Sequence, residues 1–195
     1  MHIEQATTEE EIQTIADLAE IIWHQHFTPI IGKEQVIYMV EKFQSFNALK
    51  EQIENGYEYY RIFDQDEFCG YCGIHPENGK LFLSKLYLKK EARGKHLATN
   101  VFEFLKQLCR ERGLSAIWLT CKKHNDNSLA VYRHLGFETV DTQVADIGNG
   151  FVMDDYIMEV TVEATSQSPC LPETLATTYN PGMCLLVLPV IADPV

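Results

Sequence analysis

Residues 80–122 constrain the fold more than any other part of the chain. They begin with an apolar run, "KLFLSKLYL", followed by the short basic turn "KKEARGKHLA". Ala98, Val101, Phe102, Leu105 and Leu108 then recur at helical spacing until Gly113, with Arg110 and Arg112 near the negative end of that helix. A second apolar run, "SAIWLTCK", comes next and shows no polar alternation, as expected of a strand covered on both faces. A strand, a helix-length connection and a second buried strand predict a right-handed crossover to a parallel neighbour.

The flanking patterns extend that unit. A short strand near His2–Ala6 precedes Thr8 and Glu11, which have capping-box spacing ahead of a helix carrying Ile12, Ile15, Ala19, Ile22 and Trp23 on one stripe. Pro29 and Gly32 are expected to break it, and "KEQVIYMVEKFQS" forms a second helix burying Val36, Met39, Val40 and Phe43. From Gly56 the period shortens to the strands "YEYYRIFD", "EFCGYCGIHP" and "KLFLSKLYL", joined by "DQDE" and "PENG" turns into an antiparallel run. "NDNSLAVYRHL" reads as a short helix ending at Gly136, and "FETVDTQV" with "GFVMDDYIMEV" as a closing hairpin. The expected fold class is α/β of the α+β kind, a twisted, mixed, mostly antiparallel sheet of about seven strands flanked by about four helices. Residues 1–160 form the expected domain. Residues 161–195, with five of the seven prolines and no Lys or Arg, form a poorly ordered or partner-docking tail outside it.

Composition narrows the function. A formal net charge of −12 argues against a nucleic-acid partner and suits a cationic one, although solubility accounts for it equally well. No apolar run reaches the ~18–20 residues that span a bilayer, and the first residues lack a leader pattern, so no membrane association and a cytoplasmic location are expected. The six cysteines show no disulfide framework. Cys69 and Cys72, three apart in a strand, face opposite sides and suit thiols better than a shared metal.

The basic turn before a helix is an anion site in outline, because the first N–H groups of a helix are unpaired and its dipole is positive there. Neither the ATP-type phosphate loop nor a dinucleotide fingerprint is met. "LYLKKEARGKHLA" resembles motif A of the GNAT superfamily of N-acetyltransferases, with Arg93 and Ala98 at the ends of the motif and His96 where the family usually has glycine. "HNDNSLAVYRHLGF" resembles the family's motif B, with Asn125, Ser128, Tyr132, Gly136 and Phe137 in register. The resemblance spans the chain except its tail, and within the superfamily it is similar to small bacterial acetyltransferases of undefined acceptor.

That resemblance implies a splay between the fourth and fifth strands and acetyl-CoA as cofactor. Leu86, Tyr87 and Leu88 would line the pantetheine, and an N–H at or near Leu88 would face the developing oxyanion. Arg93, Gly94, Lys95, His96, Leu97, Ala98 and Thr99 would cradle the pyrophosphate. Asn125, Ser128 and Tyr132 would complete the cofactor site, Tyr132 as the acid for the departing thiolate, although a core tyrosine against Phe137 and an N-cap asparagine explain two of these residues without function. His96 is expected to take ordinary helical angles. Trp23, His26, Phe27, Tyr38, Asp154 and Asp155 are the candidates for the acceptor side. His24, His26, Glu58, Asp154 and Asp155 are candidate bases, and a water chain to bulk solvent would need none of them. The implied reaction is direct acetyl transfer to a primary amine of a small molecule or peptide, by a monomer or homodimer. A non-catalytic acyl-CoA sensor is the alternative, and a partner-docking protein working through its tail is a third reading.

Overall fold

The computed structural model describes residues 1–163. Strand β1 (His2–Gln5) leads into helix α1 (Glu9–Ile31), whose start is fixed by the expected reciprocal pair: Thr8 accepts from the Glu11 N–H, and the Glu11 side chain accepts from the Thr8 N–H. Pro29 does not break α1. It falls in the last turn, where losing one N–H is tolerated, and the helix continues to Ile31 before Gly32 ends it with φ 85°. Helix α2 (Lys33–Phe43) follows, then α3 (Phe46–Glu54), an element the periodicity did not reveal. Helix α3 is nine residues long and buries only Ala48, Leu49 and Gln52, and its clearest local signal is the Ser45 hydroxyl accepting from the Ala48 N–H.

Strands β2 (Glu58–Asp64), β3 (Glu67–Glu77) and β4 (Lys80–Leu88) form the expected antiparallel run, and a 3₁₀ turn (Lys90–Ala92) leads to α4 (Leu97–Arg112). Strand β5 (Ala116–Lys122), α5 (Asp126–His134), β6 (Glu138–Gly148) and β7 (Phe151–Thr161) complete the described chain. The sheet order is β1-β2-β3-β4-β5-β7-β6, with β4 and β5 parallel as predicted. The last strand therefore lies inside the sheet, between β5 and β6. It runs to Thr161, and the Val162 N–H donates to the Ser115 carbonyl. The remainder of the expected tail, from residue 164, lies outside the described residues.

Helices α1–α3 cover one face and α4–α5 the other. Trp23 and Phe27 of α1 meet Tyr87 of β4, while Phe104 of α4 meets Tyr60 of β2, the neighbour of Tyr59 on the opposite side of the strand. On the α4–α5 side Phe102, Tyr132 and Phe137 pack edge to face, with centroids 5.3–6.2 Å apart. Cys69 and Cys72 are buried thiols, and the Cys69 Sγ donates to the Ile62 carbonyl at a bulge.

Candidate active site

The site begins where β4 and β5 part. Their pairing is confined to Leu81 with Ile117 and Phe82 with Trp118, and the strands diverge beyond it. The Lys89 N–H donates 2.8 Å to the Cys69 carbonyl on β3. By alternation along an antiparallel strand, the backbone groups of Leu88 and Leu86 then point away from β3 and into the gap. An extended acyl chain lying there would find a strand edge ready to pair with it, with the Leu88 N–H at its open end.

At that end stands the basic turn. Gly94 has φ 70° and His96 has φ 58°, ψ 16°, both left-handed, and no side chain caps α4. The expectation of ordinary helical angles at His96 is therefore corrected: the position demands the conformation that glycine favours, and histidine is among the few residues enriched there. With no cap, the N–H groups of Leu97, Ala98 and Thr99 at the start of a sixteen-residue helix are left to a ligand or water. Lys95 is held 3.0 Å from Asp64 and Lys89 3.5 Å from Glu67, so both lysines brace the turn against the β2–β3 hairpin. His26, half-buried on α1, lies near enough to Arg93 for that cation to help burial hold its pKa below the ordinary value, which places α1 beside the turn.

On the α1–α3 side of the gap lies a buried aromatic and polar layer. Trp23, Phe27, Tyr71 and Tyr87 pack with centroids 4.7–6.4 Å apart. Deeper in, the fully buried Lys85 donates to Gln52 Oε1 (2.5 Å) and to the Tyr59 hydroxyl (2.6 Å). The Tyr59 hydroxyl itself donates to Gln52 Oε1, and Gln52 Nε2 donates 3.2 Å to the Phe43 carbonyl. This network needs Gly73: a Cβ there would meet the Tyr59 ring at 2.7 Å, so only glycine lets that ring lie across β3. Burial pushes the Lys85 ammonium down to about 7. Lys85, Gln52 and Tyr59 were missed from sequence. The available signal was a lone lysine inside an otherwise apolar strand.

The remaining candidates separate. Asn125 caps α5, accepting from the Ser128 N–H at 3.2 Å. Tyr132 is buried against Phe102 and Phe137. Glu58 forms a two-point ion pair with Arg112 of α4 and accepts from the Tyr60 hydroxyl at 2.6 Å, so it is held ionised away from the gap, with its pKa lowered chiefly by Arg112. That pairing removes it as a base. His24 lines a groove between α1 and the α2–α3 pair with Asp17, Glu20, Ile37 and Glu41. Tyr38 does not join Trp23 and Phe27. Its ring packs tilted against Phe151 at 5.6 Å, and its hydroxyl and Lys42 Nζ both donate 2.6 Å to the Ile147 carbonyl, clamping α2 to the β6–β7 hairpin. Asp154 is exposed and ion-paired with Lys123.

Asp155 is different. It is fully buried, and neither carboxylate oxygen has a hydrogen-bond partner among the described residues. Burial raises its pKa to about 6 against the pull of Lys122.

Among the described residues no helix is long and apolar enough to cross a membrane, and no group of three His, Cys, Asp or Glu could hold a metal. The model of the acetyltransferase (GNAT) family matches residues 15–137. The chain is 27% identical over 89 residues to a putative ribosomal protein bS18-alanine N-acetyltransferase of Bacillus subtilis (strain 168), covering 45% of this chain and 59% of that protein. It is 30% identical over 98 residues to the uncharacterized N-acetyltransferase YjgM of Escherichia coli (strain K12), covering 48% and 59%. The matches thus span about three-fifths of the length of these relatives. Among solved structures, the PaiA N-acetyltransferase from Thermoplasma acidophilum in complex with coenzyme A shares the fold, with a TM-score of 0.64 at 19% identity over 83% of this chain and 99% of that one.

Proposed function

Because the chain belongs to the GNAT acetyltransferase family, we propose that it is an acetyl-CoA-dependent N-acetyltransferase acting on a primary amine of a small molecule or peptide, as a monomer or homodimer. The observation that carries this reading is the β4–β5 gap, edged by the free backbone groups of Leu86 and Leu88 and ending at an uncapped helix with Gly94 and His96 in left-handed conformation. These features fit coenzyme A: a strand edge for the pantetheine amides and a ring of N–H groups for the diphosphate, from Arg93 through Thr99.

Bound acetyl-CoA would supply the thioester carbonyl. The Leu88 N–H donates to the oxygen on which negative charge develops. Tyr132 would donate its phenolic proton to the departing sulfur, and Asn125 and Ser128 would hold the α5 start that presents it. The acceptor amine arrives over the Trp23–Phe27–Tyr87 side, in a ternary complex, without a covalent enzyme intermediate. Cys121 is buried, and burial pushes its thiol up to about 12, which leaves it a poor nucleophile.

The test is release of free thiol from acetyl-CoA with a panel of amines, paired with calorimetric binding of acetyl-CoA. Amine-dependent release supports the proposal. Binding without release for any amine would favour the sensor, and no binding would overturn both.

A further inference from the structure

Asp155 belongs to the same face as the acceptor side of the gap. Strand β7 pairs with β5 and β6 without an extra residue of its own, so Phe151, Met153 and Asp155 point to one side, and Phe151 meets Tyr38 of α2 there. Cys121 and Tyr156, the neighbouring rung, point to the α4–α5 side, where Arg133 of α5 acts on Cys121.

Its level along the strands can also be read. From the last paired rung, Phe82 with Trp118, four steps on β5 reach Lys122, which stands opposite Asp155. Four steps on β4, passing over the extra residue Ser84 at the register shift, reach Tyr87. Asp155 is therefore level with Tyr87 and Leu88, two interstrand spacings away, roughly 10 Å before the splay is added.

The charged groups around it leave it unpaired. Lys122 on β5 attracts it without forming an ion pair within 4 Å, Lys123 is engaged by Asp154, and Gln143 faces it from β6. A buried carboxylate with no donor is costly, and a cation supplied from outside removes that cost. The reacting nitrogen must sit over the gap beside the Leu88 N–H. A carboxylate beyond β5 meets a different part of the acceptor.

The geometry points to Asp155 as the anchor for a second positive charge on the acceptor, so that the preferred substrates are compact amines carrying two cationic groups, such as diamines, polyamines or amino sugars. This rests on the acetyltransferase reading of the gap. The side chain is fully covered in this conformation, so uptake of the cation requires its cover to part.

Equilibrium binding to the full chain by calorimetry, with coenzyme A present, tests it using 1,4-diaminobutane and butylamine. The wild type is expected to bind the diamine about 10- to 100-fold more tightly, the range of a charge-assisted contact. Asp155→Asn should abolish that preference and leave butylamine and coenzyme A binding within about twofold, while Asp155→Glu retains it in part. Equal affinity of the wild type for the two amines overturns the proposal without any variant, as does an unchanged preference in Asp155→Asn. Failure of coenzyme A itself to bind would instead sink the acetyltransferase reading.

Discussion

Replacing Lys85 by methionine should make the protein more stable at neutral pH and remove part of its pH dependence. Lys85 is fully buried with no carboxylate among its hydrogen-bond partners, and burial brings its ammonium from 10.5 to about 7. The depressed value fixes the sign: the folded state binds the proton more weakly, so the cost to stability is full below pH 7 and fades as the pH rises toward 10.5. At pH 7 that cost is about 4 kcal/mol, and at pH 9 about 2 kcal/mol, at 1.36 kcal/mol per pH unit of difference. Methionine escapes it but forfeits two hydrogen bonds from the neutral amine, together about 2 kcal/mol. Gln52 Oε1 keeps its bond from Tyr59, and the Tyr59 hydroxyl, though it loses its donor, still donates to Gln52, so neither group is left without a partner. Lys85→Met should therefore be about 2 kcal/mol more stable than the wild type at pH 7 and about equal to it at pH 9. Urea unfolding of both proteins at pH 7, 8 and 9 measures the difference, in which the titrations of all other groups cancel. A difference that stays constant across this range would mean that Lys85 is charged in the folded protein, and the reading of the network as a neutral one would be wrong.

Three further outcomes are expected. Tyr132→Phe should lower kcat by about 100-fold or more while acetyl-CoA affinity stays within about threefold; an unchanged kcat would remove Tyr132 from the acid role. His96→Gly relieves a left-handed residue and should add about 1 kcal/mol to thermal stability. A tenfold loss of coenzyme A affinity in the same variant would instead make the imidazole a phosphate ligand. Gly148→Ala would bring a Cβ to 2.5 Å from the Tyr38 hydroxyl at φ 89°, and should cost about 2 kcal/mol or more in denaturant unfolding by prising α2 from the hairpin; an unaffected midpoint would show that the clamp carries no stability.

The chain announces its architecture where period and punctuation agree. Strand β4 matches the run "KLFLSKLYL" at both ends, and α1 starts at the capping box formed by Thr8 and Glu11. The reading fails where a local rule is weak or overridden. Pro29 falls late enough in α1 for the last turn to survive it, and α3 buries too few residues to show a period. The basic turn before α4 was legible as a motif, but the left-handed backbone at His96 was not, because histidine seldom announces that conformation. Lys85 and Asp155 illustrate the deeper limit. Sequence shows a charged residue in a strand, yet what gives each its interest is the company it keeps across the sheet: two neutral acceptors for the lysine and no donor for the aspartate.

The strand order also bears on how the chain is made. Because β7 is inserted between β5 and β6, a nascent chain that has released everything up to Gly148 holds the exposed edge of β5 and a β6 with no partner. The sheet closes only when the last eleven described strand residues emerge. Until then β5 is a bare apolar edge open to pairing with other chains, so premature termination between residues 150 and 161 should be as damaging as a break far upstream, and this interval is where the growing chain most needs a chaperone.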